Sequence, residues 1–154
     1  LRLSVSAYIP EDYVADSHQR LSLYKRLSSC GQLGDLALMH GEIEDRYGHP
    51  PDPVERLFEL MQIRLLAKQL RLSSVVEQPH AVVITFDPKA TVSETAVQAL
   101  MDRYKKRLRF LSPLSFELQI PHEDWSLVFP ELNATLQTLH VCGTNNQGPR
   151  TAST

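Results

Sequence analysis

The linker at positions 47–55 constrains the fold most, because one helix must end there and another must begin. Gly48 follows a helical run, and glycine closes a helix in a left-handed conformation without a Cβ penalty. The Pro50-Pro51 pair cannot continue a helix. Asp52 is a suitable N-cap for the next helix, and Glu55 three residues later completes a capping-box pattern. The sequence predicts a rigid turn that fixes the angle between two helices, the usual role of such linkers.

The first half of the chain predicts a strand that leads into a three-helix cluster. Residues 1–9 alternate apolar and polar side chains, which is typical of a strand with one buried face. Apolar residues at helical spacing then predict a helix capped by Asp16, a second from about Gln32 to Tyr47, and a third from Pro53 to about Leu70. The third run is apolar on most sides, which favours a central position.

The second half predicts two strand pairs with a helix between them and a helix at the end. The predicted strands are Ser74–Glu77, Ala81–Phe86, Leu108–Leu111 and Leu114–Ile120. Thr91 and Glu94 predict a capping box for a helix that runs to about Arg107. A last helix is predicted from Leu127 to Cys142, with Gly143 at its end. The fold class that follows is α+β.

Composition excludes several classes of function. The chain has 154 residues and a net charge of −2, so it has no global attraction to nucleic acid or acidic membranes. No apolar run is long enough to span a bilayer, and no signal peptide opens the chain. The start at Leu1 fits a domain of a longer polypeptide, and a processed terminus is the alternative. We expect one domain over residues 1–142, a disordered tail over 143–154, and reduced cysteines in a cytoplasmic setting.

Catalytic motifs do not stand out in the sequence. The six glycines form no phosphate-binding loop, and the histidines and cysteines lack metal-ligand spacing. His122 and Glu123 beside Trp125 are the best acid/base candidates, although a loop that caps the next helix is the favoured interpretation. We therefore predict no catalytic, cofactor or metal site in this chain.

Two charged clusters are open to interpretation. The basic cluster suits a solvated helix end that complements the helix dipole, and phosphate binding is the alternative. It comprises Arg103, Lys105, Lys106, Arg107 and Arg109.

The acidic cluster comprises Glu42, Glu44 and Asp45. Glu42 and Asp45 share a helix face near the C-terminal end of the helix, where the helix dipole disfavours anions. Either a local ion pair, with Arg46 as a possible partner, or a partner with a basic surface would explain them.

Three segments together resemble the C-terminal domain of bacterial transcription-repair coupling factors. They are Ile9–Tyr13, Arg20–Leu27 and Glu42–Gly48, the last followed by Pro51-Asp52-Pro53. The resemblance extends over about residues 1–142 and is most specific in the first seventy. It implies a cytoplasmic multidomain parent, a DNA translocase whose motor domains use ATP and Mg, while this chain holds no cofactor.

The resemblance also implies a regulatory role and a set of contact residues. In this family the parent displaces stalled RNA polymerase and recruits UvrA through a UvrB-like domain. The C-terminal domain is not the motor; it folds onto the UvrB-like domain and masks the UvrA-binding surface until polymerase is engaged. Acidic residues make that contact in the family, which implies roles for Glu42 and Asp45, beside Arg46, with Glu44 as an extra acid that could share either role.

Three functions therefore compete. The first is an autoinhibitory, non-catalytic domain; the second is a DNA-contacting accessory module that uses the basic segment 103–109. The third and weakest is a small enzyme centred on His122 and Glu123. For the first, we predict that reversing Glu42 and Asp45 to lysine leaves the fold intact and abolishes the interdomain contact.

Overall fold

The structure is a computed structural model that describes residues 1–120 and 124–145. Its elements are α1 (Ser17–Ser29), α2 (Leu33–Tyr47), α3 (Asp52–Gln69), β1 (Leu72–Gln78), β2 (Ala81–Phe86), α4 (Glu94–Tyr104), a 3₁₀ turn (Lys105–Arg107), β3 (Leu108–Ser112), β4 (Ser115–Gln119) and α5 (Trp125–Asn145). The α+β prediction is confirmed.

The chain divides into two compact units. The helical unit comprises residues 4–65, and the sheet unit comprises residues 1–3 with the described residues from Leu66 onward. The prediction of a single domain over 1–142 stays a prediction.

The helical unit contains α1, α2 and most of α3, which surround one apolar core. Two of the buried core residues, Ile9 and Val14, precede α1. The others recur at helical spacing along the three helices: Leu23, Leu27, Leu36, Met39, Ile43, Val54, Leu57 and Phe58. The predicted cap of α1 is confirmed, since the Asp16 carboxylate accepts hydrogen bonds from the backbone N–H groups of His18 and Gln19.

The turn between α2 and α3 is built largely as predicted, apart from its cap. Gly48 has a φ of 88°, and its N–H donates to the Glu44 carbonyl at 2.9 Å. However, α3 begins at Asp52 itself, because the Pro51 carbonyl accepts the first helical hydrogen bonds, from Val54 and Glu55 at 2.9 and 3.1 Å. Pro51 thus takes the cap position predicted for Asp52.

The predicted strand at residues 1–9 is wrong. Exposure does alternate along the segment, but it makes only one isolated bridge, in which Arg2 pairs in parallel with Val76. Farther along, the Tyr8 N–H donates to the Pro53 carbonyl and the Ile9 N–H donates to the Tyr24 hydroxyl, at 3.2 and 2.7 Å. A strand requires a neighbouring strand as well as alternation, and this segment is held by side chains and helix ends instead.

The sheet unit is built on a four-stranded antiparallel sheet in the order β1-β2-β4-β3. Both predicted strand pairs are confirmed as hairpins. Its buried residues include Ile84, Leu100, Phe116, Leu118, Phe129, Leu132 and Leu136. A 2.7 Å hydrogen bond between the hydroxyls of Tyr104 and Thr135 joins α4 to α5.

Three predicted helix ends in the sheet unit need correction. Ser93, not Thr91, caps α4, because its hydroxyl accepts the Ala96 N–H at 3.4 Å. The helix stops at Tyr104 instead of Arg107, since Lys105 has a φ of 49° and a 3₁₀ turn follows. Gly143 does not end the last helix, because α5 continues to Asn145. The rest of the predicted disordered tail, 146–154, lies outside the described residues.

Candidate interaction surface

The side of α2 that points away from the core forms a distinct surface. An α-helix turns by about 100° per residue, so the buried Leu36, Met39 and Ile43 define one side. The opposite side carries the exposed residues Gly34, Ala37, Leu38, Gly41 and Asp45, and the exposed Glu42 lies on its flank, where it reaches Arg26 of α1. The name outer face of α2 is used for five of these residues: Gly34, Leu38, Gly41, Glu42 and Asp45. The two acids that the sequence singled out therefore share this face, as predicted from their spacing.

Glu42 forms a bidentate ion pair with a neighbouring helix. Both of its carboxylate oxygens accept hydrogen bonds from the Arg26 guanidinium in the last turn of α1, at 3.0 and 2.5 Å. This hydrogen bonding lowers the pKa of the Glu42 carboxyl and raises that of the Arg26 guanidinium. Arg46, the partner considered from the sequence, instead lies over its neighbour Tyr47, 5.3 Å from the ring centroid.

Asp45 carries the unbalanced charge of the outer face. It is exposed, and in the part of the chain that the structure describes it makes no ion pair or side-chain hydrogen bond. It lies in the last turn of α2, where the helix dipole disfavours an anion. An external cation would therefore find this carboxylate free to pair.

Glu44 belongs to a different surface from Glu42 and Asp45. The helix turns it about 100° away from Asp45, and its oxygens lie 4.0 Å from His40 Nδ1 and 3.8 Å from His49 Nδ1. His40 in turn contacts the Glu55 carboxylate through Nε2 at 2.9 and 3.0 Å, which ties α2 to α3. Glu44 is thus part of a group that supports the turn between these helices.

Leu38 is the residue of this surface that the sequence reasoning missed. Its side chain is 78% exposed, although a single exposed leucine is common on protein surfaces. Gly34 and Gly41 flank it, and no atom of the described residues lies within 4 Å of a Cβ added at either position. A partner could therefore approach the helix backbone beside the leucine. The sequence signal for an exposed leucine is that Leu38 does not follow the apolar spacing of Leu36, Met39 and Ile43.

The segments that carried the sequence resemblance meet within the helical unit. The Tyr13 hydroxyl donates to the Gly48 carbonyl at 2.7 Å, and the Ile9 N–H donates to the Tyr24 hydroxyl at 2.7 Å. Residues 3–97 match the TRCF domain family. The chain belongs to this family.

The full-length relatives of this TRCF domain are transcription-repair-coupling factors. The relative from Myxococcus xanthus is 33% identical over 119 residues, which cover 77% of this chain and 10% of the relative. The relative from Haemophilus influenzae is 30% identical over 117 residues, 76% of this chain and 10% of that protein. The TRCF domain thus spans about a tenth of the length of these relatives.

A solved structure supports the fold of the TRCF domain. A crystal structure of the C-terminal domain of transcription-repair coupling factor superposes with a TM-score of 0.82 at 15% identity. The match covers 95% of this chain and 94% of that one. At this identity the likeness establishes the fold of both units and leaves side-chain roles to be argued from the chain itself.

Only part of the basic cluster of the TRCF domain lacks carboxylate partners among the described residues. Arg107 pairs with Glu131 and Arg109 with Glu117, at 2.5 and 3.2 Å. The other three, Arg103, Lys105 and Lys106, are exposed, and none of them has a carboxylate partner within the described ranges. Arg103 lies 5.4 Å from the Tyr104 ring centroid. The structure therefore brings together three unpaired cations instead of five.

The remaining candidates for chemistry are not tested by the geometry. His122 and Glu123 lie outside the described residues. Over residues 1–120 and 124–145, no group of three histidine, cysteine or acidic side chains could hold a metal ion. Cys30 carries a free thiol whose pKa is raised by burial. No helix in these described ranges is long and apolar enough to cross a membrane.

Proposed function

We propose that this TRCF domain is a non-catalytic, autoinhibitory domain of a transcription-repair coupling factor. It folds onto a UvrB-like domain of the same protein and masks the surface that binds UvrA, until engagement of RNA polymerase releases it. ATP and Mg act in the motor domains of the cytoplasmic parent, and DNA is held mainly by other domains.

The outer face of α2 is the observation that carries this proposal. Leu38 supplies an apolar contact, and Glu42 and Asp45 supply carboxylates on the same side of one helix. A small apolar centre with charged groups beside it is typical of interfaces within a chain that separate reversibly. The complementary surface would carry arginine or lysine next to an apolar pocket.

The two carboxylates have different tasks in this proposal. Glu42 is already oriented by Arg26, so it enters the interface in a fixed geometry and accepts further hydrogen bonds through its remaining lone pairs. Asp45 has no such partner among the described residues, so its charge is fully available to a cation. Asp45 therefore contributes the larger share of the electrostatic attraction.

A test uses full-length parent protein with Asp45→Lys, and Asp102→Lys as the matched control. Both aspartates are exposed and lie in the last turn of a helix, so the change in charge and its interaction with the helix dipole are matched; Asp102 differs in accepting a hydrogen bond from Gln98 at 2.9 Å. Purified UvrA is titrated against each by calorimetry. Masking predicts that Asp45→Lys strengthens UvrA binding about tenfold or more, by raising the population of the open form. Equal UvrA affinities in both variants would exclude this interface.

A DNA-contacting accessory module is the second candidate. Arg103, Lys105 and Lys106 support it, because unpaired cations bind phosphates without sequence preference. A 20-base-pair duplex labelled with fluorescein, titrated with this chain at several salt concentrations, tests it. This function would be supported by an association constant whose logarithm falls linearly with the logarithm of the salt concentration. The double substitution Lys105→Glu/Lys106→Glu should then abolish the binding.

A further inference from the structure

The two edges of the sheet are treated differently by the fold. On the β1 edge, the Arg2 N–H donates to the Val75 carbonyl and the Arg2 carbonyl accepts the Glu77 N–H, both at 2.9 Å. On the β3 edge, residues 109–112 make backbone hydrogen bonds only to β4, as far as the described residues show. One edge is covered by added backbone, and the other has N–H and C=O groups without a backbone partner among residues 1–120 and 124–145.

The open edge is also apolar. Phe110 and Leu111 are 43% and 48% exposed, on the outermost strand of the sheet. The pairing register shifts between Phe110 and Ser112, and irregularities in edge strands, bulges among them, limit unwanted pairing. Protected edges usually also carry charge, but here two large apolar side chains follow Arg109, whose charge is satisfied by Glu117.

A groove lies beside this edge, between α4 and the hairpin of β3 and β4. It has a volume of about 550 Å³ and is lined largely by apolar side chains, among them Val97, Leu100, Phe110, Pro113 and Phe116. A volume and an apolar lining of this kind are typical of ligand-binding grooves and leave ample room for an apolar side chain of a ligand. Because Phe110 belongs to both the edge and the groove, a chain paired with β3 would place alternate side chains toward it.

The charges near the edge indicate what kind of chain would pair with it. Arg103, Lys105 and Lys106 lead directly into β3 and have no carboxylate partner in the described part of the chain. Asp102 lies beside them on α4 and accepts a hydrogen bond from Gln98 at 2.9 Å, and Glu94 lines the groove. The net charge of these side chains remains positive, and a positive surface complements an acidic partner.

We propose that β3 accepts an extended, acidic and apolar segment of another protein as a fifth strand. The backbone of that segment pairs with residues 109–112, one apolar side chain occupies the groove, and its acidic residues lie against Arg103, Lys105 and Lys106. This mode of recognition combines backbone hydrogen bonds for affinity with side-chain pockets for specificity. The inference is independent of the outer face of α2.

A nucleic acid would use the same cations in a different way. Phosphates bind to the positively charged side chains and do not pair with a strand edge. A peptide that adds a strand pairs with the free edge and packs against the apolar side chains. Phe110 and Leu111 beside the cations therefore favour a peptide over a nucleic acid. Peptide binding and DNA binding differ in their dependence on Leu111 and on the backbone amides of the ligand.

The test measures binding of fluorescein-labelled eight-residue peptides to the 154-residue chain by fluorescence anisotropy. The peptides alternate valine, leucine or phenylalanine with glutamate or aspartate. Leu111→Ser removes an apolar side chain from the edge without adding charge, and Leu127→Ser is its matched control, since Leu127 is 51% exposed on α5. We expect about tenfold weaker binding for Leu111→Ser, because an apolar contact is lost, and no change for Leu127→Ser.

Two further measurements keep the proposal open to failure. Peptides with N-methyl groups on alternate amides cannot form the strand ladder and should bind at least about tenfold more weakly. Lysine-containing peptides of the same pattern should not bind. The proposal is overturned if no acidic peptide binds at concentrations on the order of 1 mM, if N-methylation has no effect, or if only duplex DNA binds and Leu111→Ser does not weaken it.

Discussion

The Arg26 guanidinium in α1 holds both carboxylate oxygens of Glu42 in α2, at 3.0 and 2.5 Å. This pair changes the expectation drawn from the sequence for reversing both acids to lysine. A lysine at position 42 would place a second cation against Arg26, whereas a lysine at position 45 would meet no described partner. The two reversals should therefore differ in their effect on folding, and only the second probes the interface cleanly.

We predict that Glu42→Lys lowers the thermal unfolding midpoint more than Glu42→Gln does, because it replaces attraction with repulsion at Arg26. Asp45→Lys should raise the unfolding free energy by a few tenths of a kcal/mol, since a cation suits the end of α2. Circular dichroism of the four chains during heating measures both effects. A Glu42→Lys midpoint equal to that of the wild type would show that the ion pair has no role in stability.

The same pair predicts a dependence of stability on pH. The pKa of Glu42 is lowered in the folded chain by its hydrogen bonds to Arg26, so its stabilising contribution is present above the ordinary pKa of 4.5. That contribution is lost as the pH falls through the lowered value. The unfolding free energies of wild type and Glu42→Gln, measured in urea from pH 7 down to pH 3, should converge in the acid range. A constant difference between them would contradict this account.

Glu59 should show the opposite behaviour. Burial raises the pKa of its carboxyl, and the nearby Glu55 adds to the rise while Arg56 opposes it. A raised pKa in the folded state favours folding at low pH, and this contribution is lost as the pH rises through the raised value. Glu59→Gln should therefore be more stable than wild type at pH 7 and nearly equal to it at pH 3. Urea unfolding at the two pH values measures the difference in unfolding free energy between Glu59→Gln and wild type, and equal differences at both pH values would contradict this account.

The hydroxyl of Tyr13 supports the end of α2. It donates to the Gly48 carbonyl at 2.7 Å, and burial raises its pKa. Tyr13→Phe removes this hydrogen bond and should lower the unfolding free energy by about 1 kcal/mol. Tyr8→Phe is the control, because the Tyr8 hydroxyl makes no hydrogen bond within the described residues. If both variants unfold at the same urea concentration, the hydrogen bond has no measurable role.

Local patterns in the sequence were sufficient to predict most elements of this fold. The helices and both hairpins follow from apolar spacing, from Gly48 and from the turn at Pro79-His80, all of which act within a few residues. The strand predicted at residues 1–9 failed because alternation does not supply a partner strand. Helix ends in the sheet unit failed where Ser93 capped instead of Thr91 and where Lys105 adopted a positive φ.

The interaction surface could be predicted only in part. The shared face of Glu42 and Asp45 follows from a spacing of three along one helix. The pairing of Arg26 with Glu42 joins residues of two helices, and no pattern along the chain indicates it. Likewise, Leu38 became visible as a contact residue only when the packing of α2 showed which side of the helix is left exposed.

The most direct test of the regulatory role is the affinity of UvrA for the full-length parent protein with Leu38→Ser/Asp45→Lys, compared with wild type and with Asp102→Lys. Both substitutions lie on the outer face of α2 and remove its apolar and electrostatic contacts without touching the Arg26–Glu42 pair. Masking predicts UvrA binding at least about tenfold tighter than in wild type and in the control. An affinity that stays equal in all three proteins would contradict masking through this face.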